Sequence, residues 1–415
     1  MVDSSAWISK AARFLSEIEQ DSLFPSVPGG KPTLYGTCYG TMAKIYLSLP
    51  VGGVEKIKKF IGDSRDHISG YFIGPELAEY FPETSVRHSR SHLLNHLACS
   101  GVLPLAQNLG IPLAPLLFAH EWCSADLLKR WIKTVDWKNA WFEGNNVLFT
   151  GQLLVYLRDV EKHPEAQKSL DCWFEWLDRE ADPATSLWGT DGHCSPMEAV
   201  YGGYHQLLLY WHENHPVKNS AGLVDTVLGL RHLDGGFNPN GNAGACEDVD
   251  CVDILVNCYK RCDYRRAEIR RALWHCVDHI LSTQNSDGGF PYCKDWPQSH
   301  MGIPGTQSGP NVSCTFPTWF RIHTLALCHE IIPEHPALAG VPFRFNEFLS
   351  MGWHKSPLGW ILIIPNAQKK MELRIEKKIR CNMLKMRFSK RIKPAKNLLF
   401  RAKAKIKRAI KNILN

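Results

Sequence analysis

The sequence predicts an all-α protein, an (α/α)6 toroid in which six helical hairpins close into a double ring, followed by a basic helical tail. The first observation is a repeat: Asp-Gly-Gly-Phe occurs at 234–237 and at 287–290, each time between two segments with helical apolar spacing. Four weaker helix–loop–helix units precede this pair, so that six units fit into residues 1–350. Hairpins with a constant period can stack into two concentric layers. The basic tail is predicted at 366–415, a segment that contains no glycine.

Each unit is predicted as an outer helix, a loop rich in Gly, Pro, Asn and Asp, and an inner helix. The outer helices are expected at 7–18, 54–61, 127–135, 173–176, 226–233 and 274–284. The inner helices are expected at 35–47, 88–97, 145–157, 198–211, 246–259 and 314–327. Residues 102–121 do not match the unit and are predicted to form an extra helix or an insertion.

All inner helices of such a ring run in the same direction, so their first residues gather at one mouth. These residues are polar and aromatic, whereas the rest of the same helices is rich in Leu, Ile and Val. A concave set of this kind is the default binding site. The residues predicted at the mouth are Tyr35, Cys38, His88, Arg90, His92, Asn145, Asn146, His193, Glu198, Tyr201, Glu247, Asp248, Asp250, Asp253, Ser313, Cys314 and Trp319.

An acidic cluster begins the fifth inner helix. Four carboxylates fall within the seven residues 247–253, and the apolar segment 254–259 follows directly. Glu247, Asp250 and Asp253 recur every three residues and therefore lie along one helix face. Crowded carboxylates beside apolar surface do not all ionise, so at least one proton is expected to remain at neutral pH. The N-terminus of the helix acts in the opposite direction, because it favours the anionic form.

The repeat is similar to that of the α/α-toroid superfamily, which includes squalene and oxidosqualene cyclases, the class II domains of diterpene synthases and protein prenyltransferase β subunits. The resemblance is weak over 1–350 and clear over 220–330. Class II cyclases carry Asp-x-Asp-Asp or Asp-Cys-Thr-Ala at the start of an inner helix, and Asp248-Val249-Asp250-Cys251 resembles a blend of the two. The resemblance implies that Asp250 protonates an alkene or epoxide, with Cys251 as its hydrogen-bonding neighbour. Asp248, Glu247 and Asp253 complete the predicted catalytic set.

The resemblance also implies a hydrophobic isoprenoid substrate and a terpenoid-cyclising or prenyl-processing reaction. Carbocation intermediates are stabilised by aromatic faces, although most aromatic residues at helical spacing serve packing. The expected substrate-binding residues are His88, His92, Trp141, Glu198, Tyr201, Phe237, Phe290 and Trp319.

Three alternatives remain open at this stage. No cofactor is expected, but Asp250, Cys251, Cys314 and a histidine could form a mixed zinc site of the kind that prenyltransferases hold. Six-hairpin toroids also serve carbohydrate hydrolases, lyases and epimerases, for which Glu198 and Asp250 would supply the carboxyl pair. The third alternative is a non-catalytic toroid that binds a lipid or a peptide.

Charge divides the chain into two parts. The net charge is +7, yet residues 369–411 hold 18 Lys and Arg and only Glu372 and Glu376. Within this tail, 396–415 has an apolar stripe flanked by cations and is predicted to lie on an anionic membrane surface. The alternative is a disordered tail or one that binds nucleic acid nonspecifically, since no motif for specific nucleic-acid binding is present. With no secretory signal and no long apolar run, the expected location is cytoplasmic, peripheral at the inner face of a membrane.

Overall fold

The structure is a computed structural model that describes residues 4–78, 90–345 and 348–351. Over these residues the chain is all-α, with thirteen α-helices and no strand, as the sequence predicts. The predicted site residue His88 and the whole predicted tail at 366–415, including the membrane segment 396–415, lie outside the described residues. None of the described helices combines the length and apolar character that a membrane crossing requires.

The helices follow one another with short connections. Their bounds are α1 Ser4–Ile18, α2 Leu34–Tyr46, α3 Val54–Asp63, α4 Arg90–His96, α5 Leu103–Asn108, α6 Ala125–Ile132, α7 Ala140–Asp159, α8 Ala166–Glu180, α9 Pro196–His212, α10 Ser220–Leu228, α11 Ala245–Arg261, α12 Arg266–Ser282 and α13 Thr315–His329. Short 3-10 helices at Leu117–Cys123 and Trp137–Asn139 flank α6.

The segment that does not match the repeat continues an inner helix. A π-helical turn, Leu97–Val102, joins α4 directly to α5. Pro104 stands in the first turn of α5, where its missing N–H and its ring are incompatible with a regular α-helical bond to the preceding turn. The wider π-turn absorbs this mismatch and lets the helix continue. The first part of the segment predicted as an extra helix or an insertion, α5, therefore continues α4, and a separate 3-10 helix begins at Leu117.

Burial separates two classes of helix. The inner helices α2, α7, α9, α11 and α13 are buried on nearly all sides; in α13 every residue from Thr315 to Cys328 is buried. The outer helices bury one face only, such as Trp173, Phe174, Trp176 and Leu177 on α8. A helix that is buried on all sides must be covered by neighbours on all sides, which is the role of the alternating outer helices.

The contacts between helices follow the chain order. Helix α4 packs against α7, α7 against α9, α9 against α11, α11 against α13, and α13 against α2, while α2 contacts the π-turn that follows α4. The outer helices α1, α8 and α12 pack against α2, α7 and α11 respectively. The first and last units also meet, since Trp7 Nε1 donates to Ala337 O (2.8 Å) and Gln284 Nε2 donates to Trp7 O (2.9 Å).

The Asp-Gly-Gly-Phe segments form two identical turns. Asp234 Oδ1 accepts a hydrogen bond from Gly236 N at 2.9 Å, and the matching bond in the second turn, from Gly289 N to Asp287 Oδ1, is also 2.9 Å. The first glycine of each turn has φ of +98°, a conformation that side chains with a Cβ rarely adopt. Both features explain why the turn needs Asp followed by Gly.

After each turn, a backbone N–H donates to the side chain of the fourth residue of the following inner helix. The same bond occurs in the first unit. The three pairs are Phe24 N with Thr37 Oγ1 (3.1 Å), Phe237 N with Asp248 Oδ1 (2.9 Å) and Phe290 N with Thr318 Oγ1 (3.0 Å). This bond gives α2, α11 and α13 a common register, so that their positions can be compared residue by residue.

Candidate functional site

A cavity of about 520 Å³ lies beside the first turns of the inner helices. Its wall is formed by side chains of α4, α7, α9, α11 and α13, by residues 292 and 297–301 of the loop between α12 and α13, and by Met351. The volume lies within the range of roughly 300–1,000 Å³ that is typical of small-molecule sites.

Four inner helices each contribute two side chains that are one turn apart. The pairs are His92 and His96 on α4, Trp141 and Asn145 on α7, Cys246 and Asp250 on α11, and Phe316 and Phe320 on α13. Residues four positions apart share one face of a helix. In α7, α11 and α13 these are the second and sixth residues of the helix.

Asp250 is the acidic side chain of the fifth inner helix that faces the cavity. It is 1% exposed, and its Oδ2 atom has no hydrogen-bond partner in the described part of the protein. Burial raises the pKa of Asp250 well above its usual value, and the nearby carboxyl groups of Glu247 and Asp253 raise it further. Both effects favour the protonated carboxylic acid of Asp250 over its carboxylate. The sixth residue of α13, Phe320, is aromatic, so an acid replaces an aromatic ring at this position.

Asp248 does not line the cavity; it connects the preceding turn and α13 to α11. Its Oδ1 accepts the turn hydrogen bond from Phe237 N, and its Oδ2 is paired with Arg321 Nη1 on α13. Arg321 also donates to Ala243 O (2.7 Å) and Tyr292 O (3.0 Å), and both charged side chains are 0% exposed. Asp248 therefore occupies the position of Thr37 and Thr318 in the other units.

Glu247 and Asp253 flank Asp250 without lining the cavity. Glu247 accepts a hydrogen bond from Gly244 N and so caps α11, while burial raises its pKa. Asp253 is 1% exposed and accepts a hydrogen bond from Asn257 Nδ2 (2.8 Å). Burial raises the pKa of Asp253 to about 7. Both residues add negative potential next to Asp250 when they are ionised.

The thiol beside Asp250 in the cavity wall belongs to Cys246 and not to Cys251. Cys246 precedes Asp250 by one helical turn. Cys251 is fully buried away from the cavity, and the described residues contain no hydrogen bond between Cys251 and Asp250.

The predicted substrate-binding residues divide into two groups. His92, Trp141 and Glu198 line the cavity. Tyr201 lies behind it, where its ring packs on Trp141 (4.8 Å between centroids) and its hydroxyl donates to the carbonyl of Phe237 at 2.6 Å.

The other predicted aromatic residues serve packing. Phe237 and Phe290 are 0% exposed and follow the two Asp-Gly-Gly turns. Trp319 is also fully buried and stacks on Tyr39 at 4.7 Å between ring centroids. In the described residues none of the three predicted aromatics lines the cavity; Phe316 and Phe320, on the same helix as Trp319, do so.

Two histidines of the cavity wall, His205 and His300, were not predicted from the sequence. His205 follows Glu198 by seven residues, which is two helical turns, so helical spacing could have identified it. His300 comes from the loop between α12 and α13, where no periodic signal exists. Burial lowers the pKa of His205 to about 4 and lowers that of His96 well below its usual value, so both rings are neutral at pH 7.

The described residues contain no group of three or more His, Cys, Asp or Glu side chains arranged to hold a metal ion. Cys314, considered above as a zinc ligand, instead contacts Ser308 Oγ at 3.4 Å. Comparison of the chain with models of known protein families and with curated proteins finds no match.

Proposed function

We propose that the chain is an α/α toroid that starts an isoprenoid cyclisation or rearrangement by protonation, with Asp250 as the general acid. The order of contacts supports the toroid, because α4, α7, α9, α11, α13 and α2 follow one another in contact, and α2 touches the π-turn that continues α4. The observation that carries the activity is a buried carboxylic acid with a raised pKa in the wall of a cavity that aromatic rings help to line.

In the proposed step, the O–H bond of Asp250 breaks and its proton passes to one carbon of an alkene, or to the oxygen of an epoxide. In the alkene case the π electrons form the new C–H bond, and the neighbouring carbon becomes a cation. The rings of Trp141, Phe142, Phe316 and Phe320 line the cavity and would stabilise this cation without adding to it.

The test is incubation of the purified protein with squalene, oxidosqualene and geranylgeranyl diphosphate, followed by mass-spectrometric detection of products. We expect a cyclised or rearranged product from at least one substrate. Asp250→Asn keeps the shape of the side chain but removes the acid, and should lower the rate by about 10²-fold or more. The matched control is Asp263→Asn, the same change at an exposed position, which should keep full activity.

A carbohydrate-active enzyme is the second candidate, because two carboxyl groups, Glu198 and Asp250, line the same cavity. Such a pair can cleave a glycosidic bond by acid and base or nucleophilic catalysis. Oligosaccharide cleavage or elimination that is lost in both Asp250→Asn and Glu198→Gln, without any isoprenoid product, would favour this candidate over the first.

We also propose an anionic membrane surface as a partner of residues 396–415, which would bring the cavity to a membrane-dissolved substrate. The protein should sediment with vesicles that contain phosphatidylserine and not with vesicles of phosphatidylcholine alone. Sedimentation that is equal for both lipids would contradict an electrostatic attachment.

A further inference from the structure

We infer that the cavity accepts an uncharged isoprenoid and rejects the same chain carried as a diphosphate, with Glu198 as a specificity-determining residue. The inference rests on the proposed function, which leaves both substrate classes open.

The first support is the character of the polar atoms in the cavity wall. Among the described side chains that line it, the acidic ones are Glu198 and Asp250, and none is Lys or Arg. Glu198 Oε2 and Gln298 Oε1 are buried acceptor oxygen atoms without a hydrogen-bond partner in the described residues. Unpartnered acceptors favour a ligand that donates hydrogen bonds, such as an alcohol, and they disfavour phosphate oxygens.

The second support is that three nearby groups, Arg321, His96 and His205, place no positive charge in the cavity. Arg321 is 0% exposed and uses its guanidinium on Asp248, Ala243 O and Tyr292 O. The lowered pKa values of His96 and His205 make these two wall residues neutral at pH 7. Recognition of a diphosphate usually requires Arg, Lys or a bound cation.

The third support concerns the helix N-termini, which would otherwise attract an anion. Side chains of the protein already occupy several of their N–H groups. Ser195 Oγ accepts from Glu198 N (3.2 Å) at the start of α9, and Glu247 accepts from Gly244 N at the start of α11. Glu198 itself stands in the first turn of α9. The positive ends of these helices are therefore compensated by carboxyl groups before any ligand arrives.

The test measures displacement of labelled geranylgeraniol from the full chain, with unlabelled geranylgeraniol and geranylgeranyl diphosphate as competitors, with and without Mg²⁺. The two probes share one hydrocarbon chain and differ in charge. Displacement is scored, rather than total binding, because the basic residues of 366–415 can attract a diphosphate outside the cavity. We expect that displacing half of the label requires a concentration of the diphosphate at least about tenfold higher than that of the alcohol. Like charges in a poorly solvated site repel strongly.

Two variants locate this preference. Glu198→Lys should lower the ratio of the two competitor concentrations at half displacement, diphosphate over alcohol, by about tenfold. Glu198→Gln should lower this ratio less. The matched control is Glu175→Lys, the same charge change at an exposed position on α8, which should leave the difference unchanged. The inference is overturned if the diphosphate displaces the label as well as the alcohol does, or if Glu198→Lys and Glu175→Lys act equally.

Displacement and turnover separate this inference from the proposed function. Preferential binding of geranylgeraniol without any product would refute the proposed chemistry and support the specificity. Product formation from a diphosphate would support the chemistry and refute the specificity. If labelled geranylgeraniol does not bind at all, the specificity is refuted, and product formation from squalene or oxidosqualene decides the proposed chemistry separately.

Discussion

Asp248 and Asp250 stand two residues apart on one helix and have different roles, because they face different directions. Asp248 accepts the hydrogen bond that a threonine accepts in two other units, and it pairs with Arg321. Asp250 faces the cavity with one oxygen atom unpartnered. Spacing in the acidic cluster could not separate these roles. Alignment of Asp248 with Thr37 and Thr318 separates them, since it fixes which face of α11 is turned to the cavity.

The structural role of Asp248 predicts a large loss of stability on its removal. Asp248→Ala leaves Arg321 charged and buried without its partner, which should lower the free energy of unfolding by about 3–5 kcal/mol. Thr318→Ala removes only the equivalent neutral hydrogen bond and should cost about 1 kcal/mol. Urea denaturation of both variants measures the difference. Equal losses would mean that the ion pair does not contribute beyond the turn hydrogen bond.

The raised pKa of Asp253 predicts how stability changes with pH. In the unfolded chain this group titrates near its usual value of about 3.9, whereas in the folded protein its pKa is about 7. Between these values the folded protein holds a proton that the unfolded chain has lost. The free energy of unfolding should therefore fall as pH rises from about 4 to 7, by up to about 1.4 kcal/mol per pH unit.

Denaturation curves recorded between pH 4 and pH 8 check this slope. Asp253→Asn should flatten the curve, because the amide does not titrate. Asp263→Asn, at an exposed position, is the control and should keep the slope of the unmodified protein. An unchanged slope in Asp253→Asn would show that Asp253 does not hold its proton in the folded state.

At the scale of elements, the Asp-Gly-Gly turns join units as well as helices. Gly288 has φ of +98°, and a Cβ atom there would lie 2.0 Å from Lys10 O of α1. Gly288→Ala should therefore push the first helix away from the last unit and destabilise the protein by more than about 1 kcal/mol. Gly62→Ala in α3 is the control: it meets no neighbour and should stabilise slightly. Thermal denaturation of both variants gives the sign of each change in melting temperature. Equal changes in the two variants would contradict a strained contact at Gly288.

The sequence predicts the alternation of helices well and their lengths less well. Apolar spacing indicates each inner helix, because a helix that is buried on all sides has apolar residues over most of its length. The outer helix around Trp173 and Trp176 was predicted too short, because α8 buries one stripe and its exposed residues carry little signal. The continuation of α4 into α5 was also missed, because Pro104 interrupts the pattern and only the π-turn restores it.

At the scale of the molecule, the helix-borne part of the site could be predicted and the loop-borne part could not. His92, Glu198 and Asp250 were predicted from the starts of inner helices and Trp141 from the segment just before one, and all four line the cavity. Tyr292 and His300 arrive on the connection between α12 and α13, whose path depends on tertiary contacts. Part of its local order is the bridge between Gln298 and Ser308, which apolar spacing does not reveal.

The most direct test of the proposed function is the protonation state of Asp250 in the resting protein. Infrared difference spectra between the unmodified protein and Asp250→Asn at pH 7 should contain the carbonyl band of a protonated carboxylic acid, because burial and neighbouring carboxyl groups hold the pKa of Asp250 well above its usual value. A difference spectrum that contains only the bands of an ionised carboxylate would contradict Asp250 as the acid that starts the reaction.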